Sequence, residues 1–301
     1  QRYLLDELLT DTGSGHNIKA TVYIECRSMF SADGPEIMRP IGETEFVNGV
    51  AAMRASGLYG PTRACAGIVG FADLMLGESV APVLQAHLKA GGGRFRGIRH
   101  STAFHDDDLI PTSLSNPPKN MFGLEQFRRG FAQLKKHDLS FEAWLYHPQL
   151  PELIDLARAF PDTTIILNHF GGPLGVGPYA GKRDEVFQQW SKDIHALSAH
   201  PNVVAKLGGL QMFVNGFGWH DKATPPGSEM LCSATRPYHD YVIEQFGVER
   251  CMFESNFPVD NLSCSYNVLW NSFKRIASGC SAAEKASLFH DTAMRVYRLA
   301  L

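Results

Sequence analysis

The amino-acid sequence predicts an α/β fold, a (β/α)8 TIM barrel, on three observations. Seven short apolar runs recur along the 301 residues, amphipathic stretches separate them, and polar residues collect at the carboxyl ends of the runs. Strands that alternate with helices form βαβ units, which favour a parallel sheet. The predicted strands are residues 20–27, 63–71, 95–101, 141–147, 163–169, 202–209 and 251–257.

The amphipathic stretches carry apolar residues at i, i+3 and i+4, which is the spacing of a helix with one buried face. Pro151 begins one of these stretches and Gly57 ends another, as expected from the preference for proline in the first helical turn and glycine past the last. The predicted helices cover residues 43–57, 78–92, 124–137, 151–160, 184–200 and 241–247.

One further helical pattern, RYLLDELLTD at residues 2–11, precedes the first predicted strand. A closed barrel of this type has eight strands, whereas the sequence shows seven apolar runs, so we expect the chain to begin inside its first βα unit. On this interpretation residues 1–301 form a single barrel domain that lacks its N-terminal strand. The alternative is an N-terminal helix that caps an open seven-stranded sheet.

The composition argues against several classes of partner. The net charge of -3 offers no basic surface for nucleic acid or anionic membranes, and no apolar segment is long enough to span a bilayer. The six cysteines include no CxxC pair, and no signal-peptide pattern is present, so we expect reduced thiols and a cytoplasmic protein. We expect a small-molecule substrate, and the Gly- and Pro-rich stretch 216–230 is interpreted as a lid or a homo-oligomer contact.

Polar residues at the strand ends predict an active site, because α/β barrels build their sites from the carboxyl ends of strands. Successive side chains of a strand point to opposite faces. If Phe253 and Phe257 face the helices, Glu254 and Asn256 point into the barrel. Lys206, on the preceding strand, then points inward as well. Buried charges are usually paired, so we predict a Lys206–Glu254 ion pair with its charged ends within about 6 Å.

Two histidines stand at neighbouring strand ends. His147 directly precedes a proline, and His169 stands two positions before a double glycine. Side-chain alternation along the two strands allows the imidazoles to converge. Neutral imidazoles so placed suit metal binding or proton transfer near neutral pH. We therefore predict a functional pair, and the alternative for either histidine is a hydrogen-bonded structural role.

Three further residues at strand ends, Arg99, Glu25 and Tyr146, are predicted to bind the substrate. The guanidinium of Arg99 presents a fork of donors that matches a substrate carboxylate. The alternative for Arg99 is a salt bridge at the rim of the barrel.

Four motifs together resemble a known family: LYHP, ILNHFGGP, VAKLGGL and CMFESNFPVD, which begin at residues 145, 166, 204 and 251. With these motifs in this order, the sequence resembles the amidohydrolase-2 branch of the amidohydrolase superfamily, and the resemblance covers essentially the whole chain. The branch contains predicted metal-dependent hydrolases of the TIM-barrel fold. Relatives include 2-pyrone-4,6-dicarboxylate lactonase, sugar lactonases and aminocarboxymuconate-semialdehyde decarboxylase.

The resemblance implies a site with a His-x-His pair on the first strand, one histidine after each of the fifth and sixth strands, and an Asp on the eighth. His147 matches the fifth-strand position and His169 the sixth, which implies both as ligands of a divalent metal, zinc or manganese. The His-x-His pair has no counterpart here, in line with the expected missing strand. Where relatives commonly read Ser-Asp-Trp/Phe-Pro, this chain has Asn256, which cannot act as a general base and is a poorer ligand. Catalysis without a metal therefore stays open.

The leading hypothesis is hydrolysis of a lactone or related cyclic ester, or an amide, of a small carboxylated compound. Arg99 would bind the carboxylate and a water on a metal held by His147 would attack. The predicted catalytic set is His169, Lys206, Glu254 and Asn256. Two alternatives remain, a non-oxidative decarboxylase on the same scaffold and a barrel that binds a ligand without catalysis.

Overall fold

A computed structural model describes residues 2–300, which form one parallel sheet of seven strands. Each strand pairs with the next in chain order, which is the strand order of an α/β barrel, so the described residues supply seven of its eight strands. The predicted fold class is confirmed. The strands are β1 (Ala20–Ile24), β2 (Arg63–Gly70), β3 (Phe95–Arg99), β4 (Ser140–Ala143), β5 (Ile165–Leu167), β6 (Val203–Leu207) and β7 (Cys251–Phe253).

A helix follows every strand and covers the outer face of the sheet. All the predicted helices are present, although α7 begins well before the pattern that predicted it. Within residues 2–300, no helix combines the length and the apolar character needed to cross a membrane. The helices are α1 (Leu5–Thr12), α2 (Ile41–Ala55), α3 (Ala81–Ala90), α4 (Glu125–Lys136), α5 (Leu150–Ala159), α6 (Arg183–Ser198), α7 (Ser228–Phe246), α8 (Tyr266–Ile276), α9 (Ala282–Ala286) and α10 (Thr292–Val296).

The helix that precedes β1 lies beside the helix that follows β7. His16, just after α1, contacts α8 twice: its Nε2 lies 3.3 Å from the backbone oxygen of Asn267, and its Nδ1 lies 2.8 Å from Nζ of Lys274. The helical layer therefore runs from α8 back to α1, while the described residues place no strand between β7 and β1. That a strand precedes α1 remains a prediction.

Two apolar layers hold the sheet in place. The larger lies between strands and helices and includes the fully buried Phe141 and Trp190. The smaller, which we call the inner cluster, fills part of the barrel interior with side chains from the strands and from the carboxyl-terminal segment. Its buried members are Val69, Ile166, Val204, Met252, Val296 and Tyr297.

Side-chain alternation places the inner cluster and the charged residues on the same face of the strands. Val204 belongs to the inner cluster, and Lys206, two residues later on β6, points inward as predicted. Met252 and Glu254 repeat this arrangement on β7, with Phe253 packed in the outer layer. Along these strands the barrel interior is therefore lined by apolar side chains first, and by charged side chains nearer the carboxyl ends.

The same alternation fails at the end of β5. Leu167 faces the helices, so an extended chain would turn His169 outward as well. The strand ends at Leu167, however, and His169 and Phe170 adopt φ values of 51° and 58°. This left-handed backbone is uncommon for residues other than glycine, and it is what brings the imidazole back to the barrel mouth.

Candidate active site

Lys206 is the centre of a buried charge cluster inside the barrel. Its Nζ lies 2.7 Å from Oε2 of Glu142 and 3.3 Å from Oε2 of Glu254. Lys206 is 4% exposed and Glu142 is fully buried. The predicted Lys206–Glu254 pair therefore forms, and a second carboxylate shares the same ammonium.

Glu254 links this cluster to His169. Its Oε1 lies 2.7 Å from Nδ1 of His169, although neither atom has a hydrogen-bond partner of good geometry, so the contact is electrostatic. Burial by itself would raise the pKa of Glu254. The charge of Lys206 and the contact with His169 outweigh burial and lower this pKa to about 2. The ionised form of Glu254 is therefore favoured down to pH values well below neutral.

Neighbouring backbone and aromatic groups fix the position of His169. The edge of its ring meets Trp144, with ring centroids 4.9 Å apart. Nε1 of Trp190 donates a 2.7 Å hydrogen bond to the carbonyl of Phe170, which holds the left-handed turn. The imidazole is thus oriented from two sides, as a group that transfers protons must be.

Two glycines after β6 let the backbone pass close to this pair. A Cβ atom on Gly208 would lie 2.2 Å from the carbonyl oxygen of Glu254, and one on Gly209 would lie 2.4 Å from Nδ1 of His169. Gly209 also has a φ of 86°, which other residues rarely adopt. No side chain larger than hydrogen fits at either position without moving the His169–Glu254 contact.

Arg99 is paired with Glu25 at the mouth of the barrel. Its Nε donates to Oε1 of Glu25 at 2.7 Å, and its second terminal nitrogen donates to the Glu25 backbone carbonyl. Burial opposes the charge, but the surrounding carboxylates, Glu25 foremost, raise the pKa of Arg99 above its usual value. Two of the predicted substrate-binding residues therefore bind each other, which is the salt bridge considered as the alternative for Arg99.

Glu142 is the residue of this site that sequence reasoning missed. It lies in the middle of β4, where its Oε2 accepts from Asn168 and forms an ion pair with Lys206, and its Oε1 accepts a 2.5 Å hydrogen bond from the hydroxyl of Tyr297. The available signal was a single carboxylate inside an otherwise apolar run, FEAWLYH. A carboxylate in such a run needs a buried partner.

The structure places His147 and Tyr146 in different surroundings from His169. Nδ1 of His147 accepts from the backbone N–H of Leu174 at 3.2 Å, and burial lowers the pKa of His147 to about 4. The hydroxyl of Tyr146 donates to the carbonyl of Pro111 at 2.6 Å. Neither side chain has a hydrogen bond or ion pair with the Lys206 cluster among the described residues. Their predicted roles remain predictions.

Asn256 binds Asp260 instead of reaching towards the histidines. Its Nδ2 donates to Oδ1 of Asp260 at 2.8 Å, and its backbone has a φ of 51°. Asp260 is fully buried, and burial raises its pKa well above the usual value. Burial thus disfavours the charged form of Asp260, whose carboxyl group holds the Asn256 side chain.

The donor set does not by itself fit a divalent metal. Nδ1 of His169 is directed to Glu254 and Nδ1 of His147 accepts from the backbone. Residues 2–300 contain no group of three or more His, Cys, Asp or Glu side chains arranged to hold an ion. The zinc or manganese expected from the resemblance remains a prediction.

Comparisons with known proteins agree with the fold and identify the family. An uncharacterised protein, y4mH, from Sinorhizobium fredii is 36% identical over 297 residues, which cover 99% of this chain and 86% of that protein. An L-fucono-1,5-lactonase from Burkholderia multivorans is 27% identical over 235 residues, or 78% of this chain and 72% of the enzyme. A crystal structure of an amidohydrolase from Burkholderia multivorans with bound zinc has a TM-score of 0.75 at 26% identity, covering 100% of this chain and 90% of that one.

The family described as amidohydrolase matches residues 60–299. The matched region contains six of the seven strands, β2 to β7, and every residue of the site named above except Glu25. This chain therefore belongs to the amidohydrolase family and is a hydrolase.

Proposed function

We propose that the protein hydrolyses a lactone or a related cyclic ester. The observation that supports this is the unbroken set of contacts from Lys206 through Glu254 to His169 at the mouth of the barrel. Ester hydrolysis needs a base for the attacking water and a positive group for the carbonyl oxygen. The site offers an imidazole and an ammonium side by side, and the lactonase among its relatives has the same reaction class.

His169 acts as the general base in this proposal. Glu254, whose Oε1 lies 2.7 Å from Nδ1, stabilises the imidazolium that forms when the other ring nitrogen takes a proton from water. The water oxygen bonds to the carbonyl carbon, the ring C–O bond breaks, and the imidazolium returns the proton to the leaving alkoxide. The product is the ring-opened hydroxy acid.

Lys206 stabilises the negative charge that develops on the carbonyl oxygen. An ammonium group has three donors, and Glu142 and Glu254 take two of them. The third is available for the substrate. Because the ammonium is buried between two carboxylates, it is held in place before the reaction, which is what makes such a charge effective.

The charge of the site favours a neutral, hydroxyl-rich lactone over an anionic one. Three carboxylates, those of Glu25, Glu142 and Glu254, face two permanent cations, those of Arg99 and Lys206. Among these five side chains one negative charge is in excess, and it would repel a substrate carboxylate. We therefore favour a sugar lactone over the carboxylated compound expected from the sequence.

The test is an assay of two lactones with a pH indicator. We expect hydrolysis of L-fucono-1,5-lactone to exceed that of 2-pyrone-4,6-dicarboxylate, with Ile166→Val as the folded control. Metal content and rates before and after chelation test the predicted metal. Wild-type turnover by His169→Ala would sink the assignment. Release of carbon dioxide would indicate the decarboxylase instead, and thermal stabilisation by both lactones without turnover would indicate a binding protein.

A further inference from the structure

The segment after α10 reaches into the barrel and contacts the charge cluster. Tyr297 is 2% exposed and packs in the inner cluster. Its hydroxyl donates to Oε1 of Glu142 at 2.5 Å, and its backbone carbonyl accepts from Nε of Arg96 at 2.6 Å. Tyr297 is therefore held at its backbone and at its hydroxyl, and the hydroxyl is directed at the carboxylate that binds Lys206.

The two oxygens of Glu142 have different partners. Oε2 forms an ion pair with Lys206 and accepts from the side-chain amide of Asn168, whereas Oε1 accepts from the hydroxyl of Tyr297. Glu142 is fully buried, so bulk water cannot replace a lost donor. The orientation of this carboxylate therefore depends on Tyr297.

Tyr297 is a permanent donor in this position. Burial, and then the negative charge of Glu142, raise the pKa of Tyr297 well above its usual value. The protonated phenol is therefore favoured, and it is this form that donates to Glu142.

We propose that Tyr297 is a positioning residue of the candidate site, which holds Glu142 so that Lys206 keeps its contact with Glu254. The proposal rests on the lactonase function above, in which Lys206 directs one N–H to the substrate carbonyl. Tyr297 touches neither the substrate nor the reacting atoms. It acts through Glu142 and Lys206.

The distances indicate what the loss of the hydroxyl does. Lys206 lies closer to Glu142, at 2.7 Å, than to Glu254, at 3.3 Å. When Oε1 of Glu142 has no donor, the ammonium is the charged donor in contact with this carboxylate, so it moves further towards Glu142. The contact with Glu254 lengthens and the third N–H turns away from the carbonyl oxygen. The N–H of Lys206 then no longer stabilises the negative charge on the carbonyl oxygen in the transition state. Binding of the uncharged lactone depends much less on this N–H.

The experiment compares Tyr297→Phe with Tyr241→Phe, in which the lost hydroxyl bonds only to the backbone carbonyl of Ser191. We expect kcat of Tyr297→Phe to fall about tenfold with KM within about twofold, and Tyr241→Phe to match the wild type. Replacing Tyr297 with 3-fluorotyrosine, which keeps the hydroxyl, restores kcat. Equal losses in both phenylalanine variants, or a change in KM alone, would overturn the proposal.

A readout without substrate separates this inference from the proposed function. Crystal structures of the wild type and of both phenylalanine variants give the Lys206–Glu254 distance. We expect it to lengthen in Tyr297→Phe only, and an unchanged distance there contradicts the positioning role even where lactones are hydrolysed. If the wild type hydrolyses no lactone, the proposed function fails, while the distance still tests the positioning.

Discussion

The two parts of the barrel interior differ although the same strands build both. The inner cluster is an apolar contact of side chains such as Ile166, Val204 and Met252. Two residues further along β6 and β7, the interior changes to Lys206 and Glu254. A distance of two residues along each strand therefore separates a buried hydrophobic layer from a group of buried charges.

This difference shows how the fold supports a charged site. Apolar packing below excludes water and is stabilised by burial alone. The charges above are tolerated because each has an oppositely charged partner, with Lys206 shared by Glu142 and Glu254. Stability should therefore depend on both parts, whereas activity should depend on the charged part and on Tyr297, whose hydroxyl connects the inner cluster to Glu142. Four predictions test that separation.

The largest effect should come from His169→Gln. Loss of the general base lowers kcat by about 10²–10⁴-fold, measured as initial rates on protein whose fold is checked by circular dichroism. His147→Gln is the matched variant at the neighbouring strand end, and we expect less than about a tenfold loss because, within residues 2–300, that ring forms no ion pair. The reverse order would show that the site is centred on His147.

Lys206→Met should cause the largest loss of stability. It leaves Glu142 and Glu254 buried without their cation, which lowers the free energy of unfolding by about 3–5 kcal/mol in urea titrations. Lys119→Met removes an exposed partner of Asp106 and should cost no more than about 0.5 kcal/mol. Equal effects at the two positions would contradict the buried pairing.

Glu254→Gln should change how stability depends on pH. The pKa of Glu254 is lowered to about 2 in the folded protein, below its value of about 4.3 in an unfolded chain. The carboxylate therefore contributes stability that is fully present above the unfolded pKa and is lost as pH falls from there towards 2. The free energy of unfolding of the wild type should exceed that of the variant by about 3 kcal/mol at most near pH 6. This difference should shrink below pH 4.5. A difference in the free energy of unfolding that does not change with pH would contradict the ion pairing of Glu254.

The smallest effect should come from Ile166→Val in the inner cluster. One buried methylene is removed, which lowers the free energy of unfolding by about 0.5–1.5 kcal/mol. We expect kcat to stay within about twofold of the wild type, since no charged contact changes. A loss of activity approaching that of His169→Gln would show that the apolar and charged parts are not separable.

The sequence predicted the strands well because each parallel strand is a short apolar run. It also predicted the Lys206–Glu254 pair, since both residues stand on or next to regular strands where alternation holds. His169 reaches the site for a reason that alternation does not contain, the left-handed turn after Leu167. His169 was predicted to belong to the site because it stands at a strand end. The backbone conformation of the turn sets the direction of its side chain.

Glu142 and Tyr297 could not be paired from the sequence. They lie 155 residues apart, and nothing local to either residue indicates the other. A tyrosine near the end of a chain is normally a surface or packing residue, and only the path of the segment after α10 brings it into the barrel. Arg99 and Glu25 show the same limit, because two residues assigned separately to the substrate bind each other.

The glycine pair after β6 sets a boundary for redesign of this protein. Gly208 and Gly209 carry no chemistry, yet a methyl group at either would collide with Glu254 or His169. Saturation mutagenesis aimed at new substrates should therefore leave positions 208 and 209 untouched and concentrate diversity in the stretch 216–230. A library that varies the glycines would be dominated by inactive clones, and their failure would say nothing about substrate fit.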